Sequence, residues 1–450
     1  MKIKKYLKIL LPKFVKKFYQ RLTNIVLNTF FNLIFNFPAK KLIIIGVTGT
    51  KGKTTTTYLI YEIVKNLGYK VSLLNSEFYI HQENVQKNLT GNTMPGHGQL
   101  IKFLNEALKN QSEIAILEVS SEGLMYLRHF LIDFDIGIFL NIHPEHIENH
   151  GSFEKYKKDK ARLFKAVEKS KKIKRLRQNI VPKTIILNSD DPQATFFANF
   201  KAKIISFGLK SQADLRPVNF KVESDGIYFN LWQQNFYSPL LGEFNLFNIL
   251  AALAVILALN IEINQPNLEI IKETLKQIKN IPGRMEILKI KDITLIIDYA
   301  HTPESIKAVF EFIIKIFPQR KRLISLIGSD GGLRDKWKRP IFGELCAKFS
   351  DIIVISNINP YDEDEWQIIR MIEQGARNFL KNWEIEKEII LLPDRRKAIS
   401  WIVDKAQPGD VIVSLVKGNE KYIHFADYSI EWDEKQEFLN AFEKKFGKLN

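Results

Sequence analysis

The sequence predicts an α/β protein with two parallel-sheet domains behind a basic amphipathic helix, and three observations support this. Apolar strand-like runs alternate with helix-length amphipathic segments along most of the 450 residues, as in parallel sheets with crossover helices. A glycine-rich loop separates the first such strand from the next helix. The chain before that strand is rich in lysine. We therefore expect a central domain of the phosphate-loop (P-loop) type and a C-terminal, Rossmann-like α/β domain.

The strand-like runs fall into two sets, separated by a change of pattern. The first set comprises residues 41–47, 70–74, 114–119, 136–141 and 184–188, and the second comprises residues 293–298, 323–327, 352–356, 388–392 and 411–416. Residues 204–240 instead predict a small antiparallel patch, followed by a helix at 245–258. Because Ile281-Pro-Gly-Arg284 interrupts the pattern, we predict domains at 1–40, 41–282 and 283–450.

Composition and charge narrow the class of protein. The single cysteine, Cys346, excludes an internal disulfide and, without paired Cys/His spacing, a zinc finger, so a cytoplasmic protein is expected. Much of the net charge of +16 lies in residues 1–40, with nine Lys/Arg and no acid, and in residues 165–177, with seven bases and one acid. No aromatic residues interleave the second run, which favours a solvated helix end and loop and no nucleic-acid partner.

The basic N-terminal segment has a helical pattern of its own. Asparagine recurs at every fourth position from Asn24 to Asn36 between large apolar residues, which on a helix forms a polar stripe beside a wide apolar face. The segment lacks the roughly 20 uninterrupted apolar residues of a spanning helix and the cleavage site of a signal peptide. Two interpretations stay open: peripheral association with anionic membrane at its inner face, or docking on the next domain.

The strongest local signal is the glycine loop at 48–56. Glycines Gly49 and Gly52 allow backbone N–H groups to surround phosphate oxygens, Lys53 can reach the terminal phosphates and Thr54 can hold Mg²⁺. The strict P-loop spacing fails because Val47 stands where the first glycine is expected, but a strand precedes the loop and a helix follows it. The loop therefore predicts a nucleotide site.

Further polar residues follow the next strands of the first set. Glu118 ends a strand, where ligands gather in an open α/β sheet, and is a candidate for Mg²⁺. His143, His146 and His150 follow another strand, but their spacing without cysteine is a weak zinc signal. We expect His146 to touch a nucleotide-bound metal and the other two to cap and pack around a turn.

Eight motifs in order, from about Lys41 to the C-terminus, resemble the Mur ligases, which are ATP-dependent amide-bond-forming enzymes of peptidoglycan synthesis. The closest likeness is to the MurE type, the UDP-N-acetylmuramoyl-tripeptide synthetases. The motifs are the loop at 48–56, Glu118-Val-Ser-Ser121, Asn141-x-x-x-Glu-His146-x-x-x-His-Gly151, Tyr156-x-x-x-Lys160-x-x-Leu-Phe164, Gly242-x-Phe-Asn245-x-x-Asn248-x-x-Ala-Ala252, Gly283-Arg284-Met-Glu286, Asp298-Tyr-Ala-His301-Thr-Pro303 and Gly328-x-x-Gly-Gly332-x-Arg334-Asp335-Lys336-x-Lys-Arg-Pro340.

The resemblance implies ATP and Mg²⁺ as cofactors, and it implies a set of site residues. The catalytic residues implied are Lys53, Lys160 and His301, and the metal ligands are Thr54, Glu118, His146 and Lys160. The ATP-binding residues implied are Gly49, Thr50, Lys51, Gly52, Lys53, Thr54, Thr55, Asn245, Asn248, Arg284 and Asp298. The substrate-binding residues implied are Thr93, Ser120, Ser121, Arg128, Asn359, Tyr361, Gly418 and Glu420.

One of these assignments rests on the resemblance alone. Lys160 matches the lysine that family members carry as an N6-carboxylated side chain. From the local sequence, however, Lys160 reads as an ordinary lysine on a helix surface.

The sequence also departs from the MurE pattern. Only about 45 residues precede the loop, too few for the family's UDP-binding domain, so we expect that domain to be lacking. The diaminopimelate-type Asp-Asn-Pro-Arg reads Ile358-Asn-Pro-Tyr361 here, without the bidentate arginine. The acidic residues 362–365 favour either an amine-ended side chain such as lysine or a solvated helix N-terminus. In Lys417-Gly-Asn-Glu420 the family's histidine is replaced.

The sequence thus predicts a monomeric, cytoplasmic ligase that works on small molecules. It would add an amino acid to a UDP-N-acetylmuramoyl-peptide-like carboxylate through an acyl phosphate. Two alternatives remain: a folylpolyglutamate- or polyglutamate-type ligase, and a non-ligating, membrane-associated P-loop ATPase.

Overall fold

The structure is a computed structural model that describes residues 13–88, 92–145, 147–210, 212–279, 281, 283–332 and 335–448. Within the described residues the chain forms two compact units. The first contains residues up to 222 with 226–239 and 243–278, and the second contains 223–225, 240–242 and the chain from 279 onward. Both units are α/β, as the alternation of strands and helices predicted.

An eight-stranded, mostly parallel sheet forms the centre of the first unit. The strands of this unit are β1 Ile43–Thr48, β2 Val71–Leu74, β3 Phe78–His81, β4 Asn84–Lys87, β5 Ile114–Glu118, β6 Ile136–Phe139, β7 Lys174–Leu176, β8 Asn179–Val181, β9 Thr184–Asn188, β10 Lys203–Phe207, β11 Phe220–Val222, β12 Ile227–Leu231 and β13 Gln234–Ser238. The sheet has the order β10-β9-β6-β1-β5-β2-β3-β4, in which only β3 and β4 are antiparallel to their neighbours. Strand β1 therefore lies in the middle, and its carboxyl end carries the glycine loop.

The helices of the first unit connect these strands. They are α1 Lys13–Ile34, α2 Lys53–Asn66, α3 Gln99–Lys109, α4 Ser121–Met125, α5 Ile147–His150, α6 Phe153–Lys160, α7 Arg162–Lys169, α8 Ala194–Ala198, α9 Glu243–Ala258 and α10 Gln265–Gln277, with a short 3₁₀ helix at Pro38–Lys40. The antiparallel patch is smaller than predicted. Strand β10 pairs in parallel with β9 and belongs to the large sheet, whereas β11, β12 and β13 form the antiparallel patch.

Helix α1 packs against the rest of the first unit with its asparagines inward, whereas a simple amphipathic helix would bury its apolar face. The asparagines Asn24, Asn28 and Asn32 are buried, and Phe31 and Phe35 pack beside them against the main core. Large apolar side chains elsewhere on the helix are exposed. Residues 1–12 of the predicted helix lie outside the described residues. Among the described helices, none has the length and apolar content needed to traverse a bilayer.

The sequence predicted a solvated second basic run, but one of its lysines is buried. Lys174 is buried, and its Nζ lies 2.7 Å from Asp135 Oδ2 while also donating to the carbonyl oxygens of Ala39 and Leu42. Lys183 supplies a second cation to the same carboxylate. The solvated interpretation is therefore wrong for Lys174, because its charge balances a buried aspartate.

A six-stranded sheet forms the core of the second unit. Its strands are β14 Glu286–Ile290, β15 Ile293–Ile297, β16 Leu323–Ile327, β17 Ile352–Ile355, β18 Glu388–Leu391 and β19 Val411–Ser414, in the order β14-β15-β19-β16-β17-β18, and a separate hairpin contains β20 Tyr422–His424 and β21 Ser429–Glu431. The helices are α11 Pro303–Ile316, α12 Lys338–Phe349, α13 Glu365–Asn382, α14 Arg395–Lys405 and α15 Glu434–Phe446. Only the β14–β15 pairing is antiparallel in the six-stranded sheet. The apolar strands β15, β16, β17 and β19 are buried throughout, as parallel strands covered on both faces usually are.

The buried ion pair of the second unit predicts a large stability effect. Arg395 and Glu434 are both fully buried, with Arg395 Nη2 2.7 Å from Glu434 Oε1. Replacing Glu434 with alanine leaves the guanidinium of Arg395 buried without its partner, so we expect the free energy of unfolding to fall by about 3–5 kcal/mol. Chemical denaturation measures this change. The matched control is Glu437→Ala, which removes a more exposed pair with Arg396 and should cost about 0–1 kcal/mol.

The same pair predicts a pH dependence. Burial alone would raise the pKa of Glu434, but Arg395 and hydrogen bonds from Ser414 and Trp432 hold that pKa below its ordinary value. The stabilisation is therefore complete above the unfolded pKa of about 4.3 and is lost as pH falls through the lower folded pKa. The stability gap between the native protein and Glu434→Ala should shrink on acidification. A gap that widened at acid pH would contradict this account.

Candidate active site

The glycine loop forms a turn that only glycine fits well. Strand β1 ends at Thr48, α2 begins at Lys53, and Gly52 between them has φ of 83°. A Cβ on Gly52 would also collide with the side-chain amide of Asn248. The turn presents the N-terminal N–H groups of α2 to the loop, and this arrangement binds phosphate in many proteins.

Two lysines converge on this loop from different helices. Lys53 Nζ curls back to the carbonyl oxygens of Gly49 and Thr50, at 3.1 and 3.0 Å. Lys160, at the end of α6, donates to the same Gly49 oxygen at 2.8 Å and is almost completely buried. Burial, reinforced by Lys53, holds the pKa of the Lys160 ammonium well below its ordinary value. The interpretation of Lys160 as a surface lysine is therefore wrong.

Glu118 and Thr54 lie together beside the loop. In the parallel pairing of β1 with β5, Glu118 stands opposite Val47, at the carboxyl end of both strands. Its Oε2 accepts hydrogen bonds from Thr54 Oγ1 at 3.0 Å and from the N–H of Ser76 at 2.9 Å. A hydroxyl and a carboxylate are oxygen donors of the kind that Mg²⁺ takes alongside substrate phosphates.

The structure describes only part of the predicted metal set. His146 lies outside the described residues. Among the residues that are described, no group of three or more His, Cys, Asp or Glu side chains could hold a metal ion by itself. His150 is buried, with Nδ1 2.8 Å from Asp159 Oδ2 and Nε2 3.2 Å from Ser121 Oγ, so it packs the turn as expected. The pair Thr54 and Glu118 fits a metal that also binds phosphate oxygens.

Two residues that the site prediction missed, Asn141 and Tyr156, form hydrogen bonds to the loop. Asn141, just beyond β6, accepts from the N–H groups of Thr50 and Lys51 at 3.1 and 2.9 Å through its Oδ1. It also donates to the carbonyl oxygen of Lys51 at 3.1 Å. Tyr156 contacts Thr50 Oγ1 at 3.0 Å. Both residues belong to motifs found in the sequence, but a supporting role depends on strand adjacency, which spacing alone does not reveal.

Two asparagines on α9 border the start of α2. Asn248 accepts from Thr56 Oγ1 at 3.2 Å and donates to Asn245 Oδ1 at 3.0 Å. Both asparagines are buried. Thr55, on α2, is also buried. The structure therefore places Asn245 and Asn248 beside the loop with which the sequence grouped them.

One of the residues predicted for the carboxylate substrate, Thr93, connects to the same cluster. Ser76 Oγ donates to Glu118 at 3.0 Å and can accept from Thr93 Oγ1 at 3.2 Å, so one chain of hydrogen bonds joins the loop to Thr93. Ser120 caps α4 by accepting from the N–H of Gly123 at 3.1 Å. Arg128 donates to the carbonyl oxygen of Met94 at 2.5 Å. Ser76 was missed by sequence reasoning because no motif includes it.

In the second unit, a polar network surrounds Glu420. Its Oε2 accepts from Lys417 Nζ at 2.8 Å and from Asn359 Nδ2 at 2.9 Å, and its Oε1 accepts from Tyr299 OH at 2.9 Å. Burial opposes ionisation, but Lys417 and these hydrogen bonds hold the pKa of Glu420 below its ordinary value. A Cβ on Gly418 would press on Tyr299. Lys417 and Tyr299 belong to motifs noted in the sequence, but the sequence analysis gave neither residue a role.

Other predicted residues of the second unit lie near this network. The guanidinium of Arg284 lies 4.6 Å from the ring centroid of Tyr299. Asp298 accepts from the N–H groups of Met285 and Ala300, both at 2.7 Å. His301 Nδ1 lies 2.7 Å from the carbonyl oxygen of Tyr299, so this nitrogen carries the proton.

The acidic residues 362–365 have mainly structural partners. Glu363 forms a bidentate pair with buried Arg339 at 2.8 and 2.9 Å, and Asp364 caps α13. Glu365 accepts from Asn357 at 2.5 Å. Tyr361, where the arginine was expected, stacks on His424 with ring centroids 5.6 Å apart. These contacts weaken the interpretation of the acidic run as an amine-selective pocket.

The fold and the loop together define an α/β protein of the P-loop class, with the glycine loop at the end of its central strand. The family model for the Mur ligase middle domain matches residues 47–256, and the model for the Mur ligase, glutamate ligase domain matches residues 283–419. The chain belongs to the Mur ligase family, whose members are ATP-dependent ligases that use Mg²⁺. This assignment bears out the resemblance in the sequence.

Named relatives agree with this family. The chain is 31% identical to the UDP-N-acetylmuramoyl-L-alanyl-D-glutamate--2,6-diaminopimelate ligase of Halalkalibacterium halodurans, over 88% of this chain and 78% of that protein. It is 33% identical to the UDP-N-acetylmuramyl-tripeptide synthetase of Borrelia garinii, over 92% of this chain and 79% of that protein.

Solved structures show the same fold. A diaminopimelate ligase structure has a TM-score of 0.58 at 28% identity, covering 90% of this chain and 79% of that one. The folylpolyglutamate synthase of Mycobacterium tuberculosis has a TM-score of 0.67 at 15% identity, covering 87% of this chain and 92% of that one. At that identity the second match shows a shared fold only.

Proposed function

We propose that this Mur ligase adds an amino acid to a UDP-N-acetylmuramoyl-peptide-like carboxylate. The observation that carries the proposal is the hydrogen-bonded chain from Thr54 through Glu118 and Ser76 to Thr93. It joins residues suited to phosphate and metal with a residue assigned to the carboxylate substrate. An enzyme that phosphorylates a carboxylate must bring the phosphates of ATP and the substrate carboxylate together, although both are negatively charged.

The proposed reaction has two steps. An oxygen of the substrate carboxylate attacks the γ-phosphorus of ATP, so that ADP leaves and an acyl phosphate forms. The amine of the incoming amino acid then attacks the acyl carbon, and phosphate leaves as the amide bond forms and the nitrogen loses a proton. Lys53 would neutralise charge on the transferred phosphoryl group. Mg²⁺, held by Thr54 and Glu118 with His146, would screen the nucleotide phosphates.

The second unit would supply the amino-acid site. We assign Asn359, Tyr361, Gly418 and Glu420 to it, with the ionised Glu420 facing the amino group. The remaining assignments follow the resemblance: Gly49, Thr50, Lys51, Gly52, Thr55, Asn245, Asn248, Arg284 and Asp298 for ATP, Ser120, Ser121 and Arg128 for the carboxylate substrate, and His301 for catalysis. No arginine stands where the diaminopimelate enzymes have theirs, so we leave the amino acid open.

Phosphate release with a panel of acceptors tests the function. The purified protein is given ATP, Mg²⁺ and UDP-N-acetylmuramoyl-L-alanyl-D-glutamate, with lysine, diaminopimelate or another amino acid. We expect phosphate release that requires both the acceptor and one amino acid, with the tripeptide product seen by mass spectrometry. Amino-acid-dependent turnover only with a folate would instead assign the polyglutamate type. Acceptor-independent ATP hydrolysis without any amide product would assign a non-ligating ATPase.

We also propose that Lys160 carries an N6-carboxyl group. Its amine is almost completely buried beside the loop and Lys53, where a second cation is unfavourable and a carbamate would supply an anion for the metal. Lys160→Ala should lower kcat by about 10²-fold or more.

Removal of dissolved carbon dioxide distinguishes carboxylation from a simple structural role. The native enzyme should lose activity on depletion and recover it with bicarbonate, whereas Lys160→Glu, which has a fixed carboxylate, should not respond. Equal activity of the native enzyme with and without bicarbonate, after exhaustive depletion, would contradict carboxylation.

Finally, we propose that the enzyme is a cytoplasmic monomer that associates peripherally with the inner face of an anionic membrane. The support is the charge of residues 1–40, which contain nine Lys/Arg and no acid.

A further inference from the structure

We propose that the exposed apolar side of α1 is the surface that enters the lipid headgroup region. This inference rests on the proposed membrane association and identifies the residues that carry it. We call this surface the outer face of α1. It consists of Phe18, Tyr19, Leu22, Val26, Phe30, Leu33 and Ile34.

The outer face is unusual for a helix that packs on a folded unit. Its seven side chains are between 48% and 67% exposed, although all of them are large and apolar. Their spacing of three and four residues places most of them on one stripe of the helix. Single exposed apolar residues are ordinary, but a continuous stripe of this size marks an interaction surface.

The asparagines explain why the apolar stripe faces outward. Asn24 Nδ2 donates to the carbonyl oxygen of Tyr126 at 3.0 Å, and Asn28 Nδ2 donates to the carbonyl oxygens of Arg128 and Phe130, both at 3.0 Å. These carbonyl groups lie in irregular chain after α4, where they lack strand partners. Because the asparagines pair these partly buried backbone carbonyl groups, rotating the helix to bury the apolar stripe would remove their partners.

Charge selects the partner of the outer face. The segment that contains it has nine Lys/Arg and no acid, and the first carboxylate of the chain is Glu62. An anionic lipid surface complements both the apolar stripe and these charges. A second copy of the same helix would complement the stripe but would bring two strongly basic segments together. We therefore infer a lipid surface and not self-association.

The helix also links the outer face to a residue proposed to bind the carboxylate substrate. Asn28 holds the backbone of Arg128, and Asn24 Oδ1 accepts from the N–H of His97 at 2.8 Å, next to the loop that contains Met94. One helix diameter, about 10 Å, separates opposite sides of α1. Docking of the outer face would thus bring Arg128 and the loop that contains Met94 close to the membrane surface.

Vesicle flotation of the full-length protein tests the inference. The probe is a vesicle of phosphatidylcholine with about one third phosphatidylglycerol, compared with a vesicle of phosphatidylcholine alone. We expect binding to the anionic vesicles and at least about tenfold weaker binding by the triple variant Leu22→Ser, Val26→Ser, Phe30→Ser. The matched control, Val85→Ser, Ile173→Ser, Val218→Ser, changes three exposed apolar residues elsewhere on the first unit and should bind like the native protein.

Each other outcome overturns the inference in a recognisable way. Equal binding by the native protein and the triple variant would mean that the basic segment alone makes the contact. No binding by the native protein would reject the membrane association as well. A native dimer that the triple variant converts to a monomer would show that the outer face joins two copies. Phosphate release without vesicles reports separately on the ligase reaction, and the triple variant should retain it.

Discussion

Replacement of Lys53 by alanine is expected to reduce amide formation by about 10²- to 10³-fold or more. Its ammonium lies over the glycine loop, 3.0 Å from the carbonyl oxygen of Thr50, where it can meet a terminal phosphate. In the variant, no ammonium at position 53 would neutralise the negative charge on the phosphoryl group during its transfer. The measurement is the steady-state rate of phosphate release with saturating acceptor and amino acid.

The matched control is Lys109→Ala, at the exposed end of α3 and away from the loop. It should retain the native rate, and both variants should retain the native melting temperature. A Lys53→Ala protein with native activity would remove the basis for the ligase mechanism. If Lys53→Ala melted well below the native protein, Lys53→Arg should recover stability with little activity, since arginine keeps the charge but not the compact ammonium.

Replacement of Glu118 by glutamine should produce the second large loss, of about 10²-fold in kcat at ordinary Mg²⁺ concentration. Glutamine retains an oxygen that can accept from Thr54 and from the N–H of Ser76, so the local fold should survive. The change removes a negative charge from a site that is otherwise next to two lysines. The Mg²⁺ concentration required for half-maximal activity should therefore rise.

Glu113→Gln is the control, because Glu113 directly precedes β5 at the opposite end from Glu118 and pairs with Arg177 at the surface. Its Mg²⁺ dependence should match that of the native enzyme. An unchanged Mg²⁺ dependence in Glu118→Gln, with normal activity, would show that Glu118 only supports the backbone of Ser76. That result would assign the metal to other groups.

The prediction of fold class depended on local patterns, and these patterns survive in the structure. Strand β1, the glycine loop and α2 follow one another as the sequence indicated, because each is specified within a few residues. Glu118 could be placed beside Thr54 because parallel neighbouring strands end at the same edge of a sheet. Sequence reasoning failed at β10, whose short apolar run is compatible with either kind of sheet.

Residues whose role depends on distant chain could not be assigned in this way. Ser76 lies in no motif, yet it bridges Glu118 and Thr93. Lys174 lies in a basic run that looks solvated, yet it neutralises Asp135 in the interior. In both cases the partner is far away in sequence, and no local pattern contains it.

The sequence by itself determined the α/β class, the nucleotide loop and the family, since hydrophobic period, glycine spacing and ordered motifs are properties of the chain alone. Only the tertiary structure decided that Lys160 is buried against Gly49 and that the asparagines of α1 face inward while its apolar side chains face out. The physical reason is common to both. Whether a side chain is buried is set by the segments that cover it, and the free energy gained by pairing backbone carbonyl groups can outweigh the cost of burying a polar side chain.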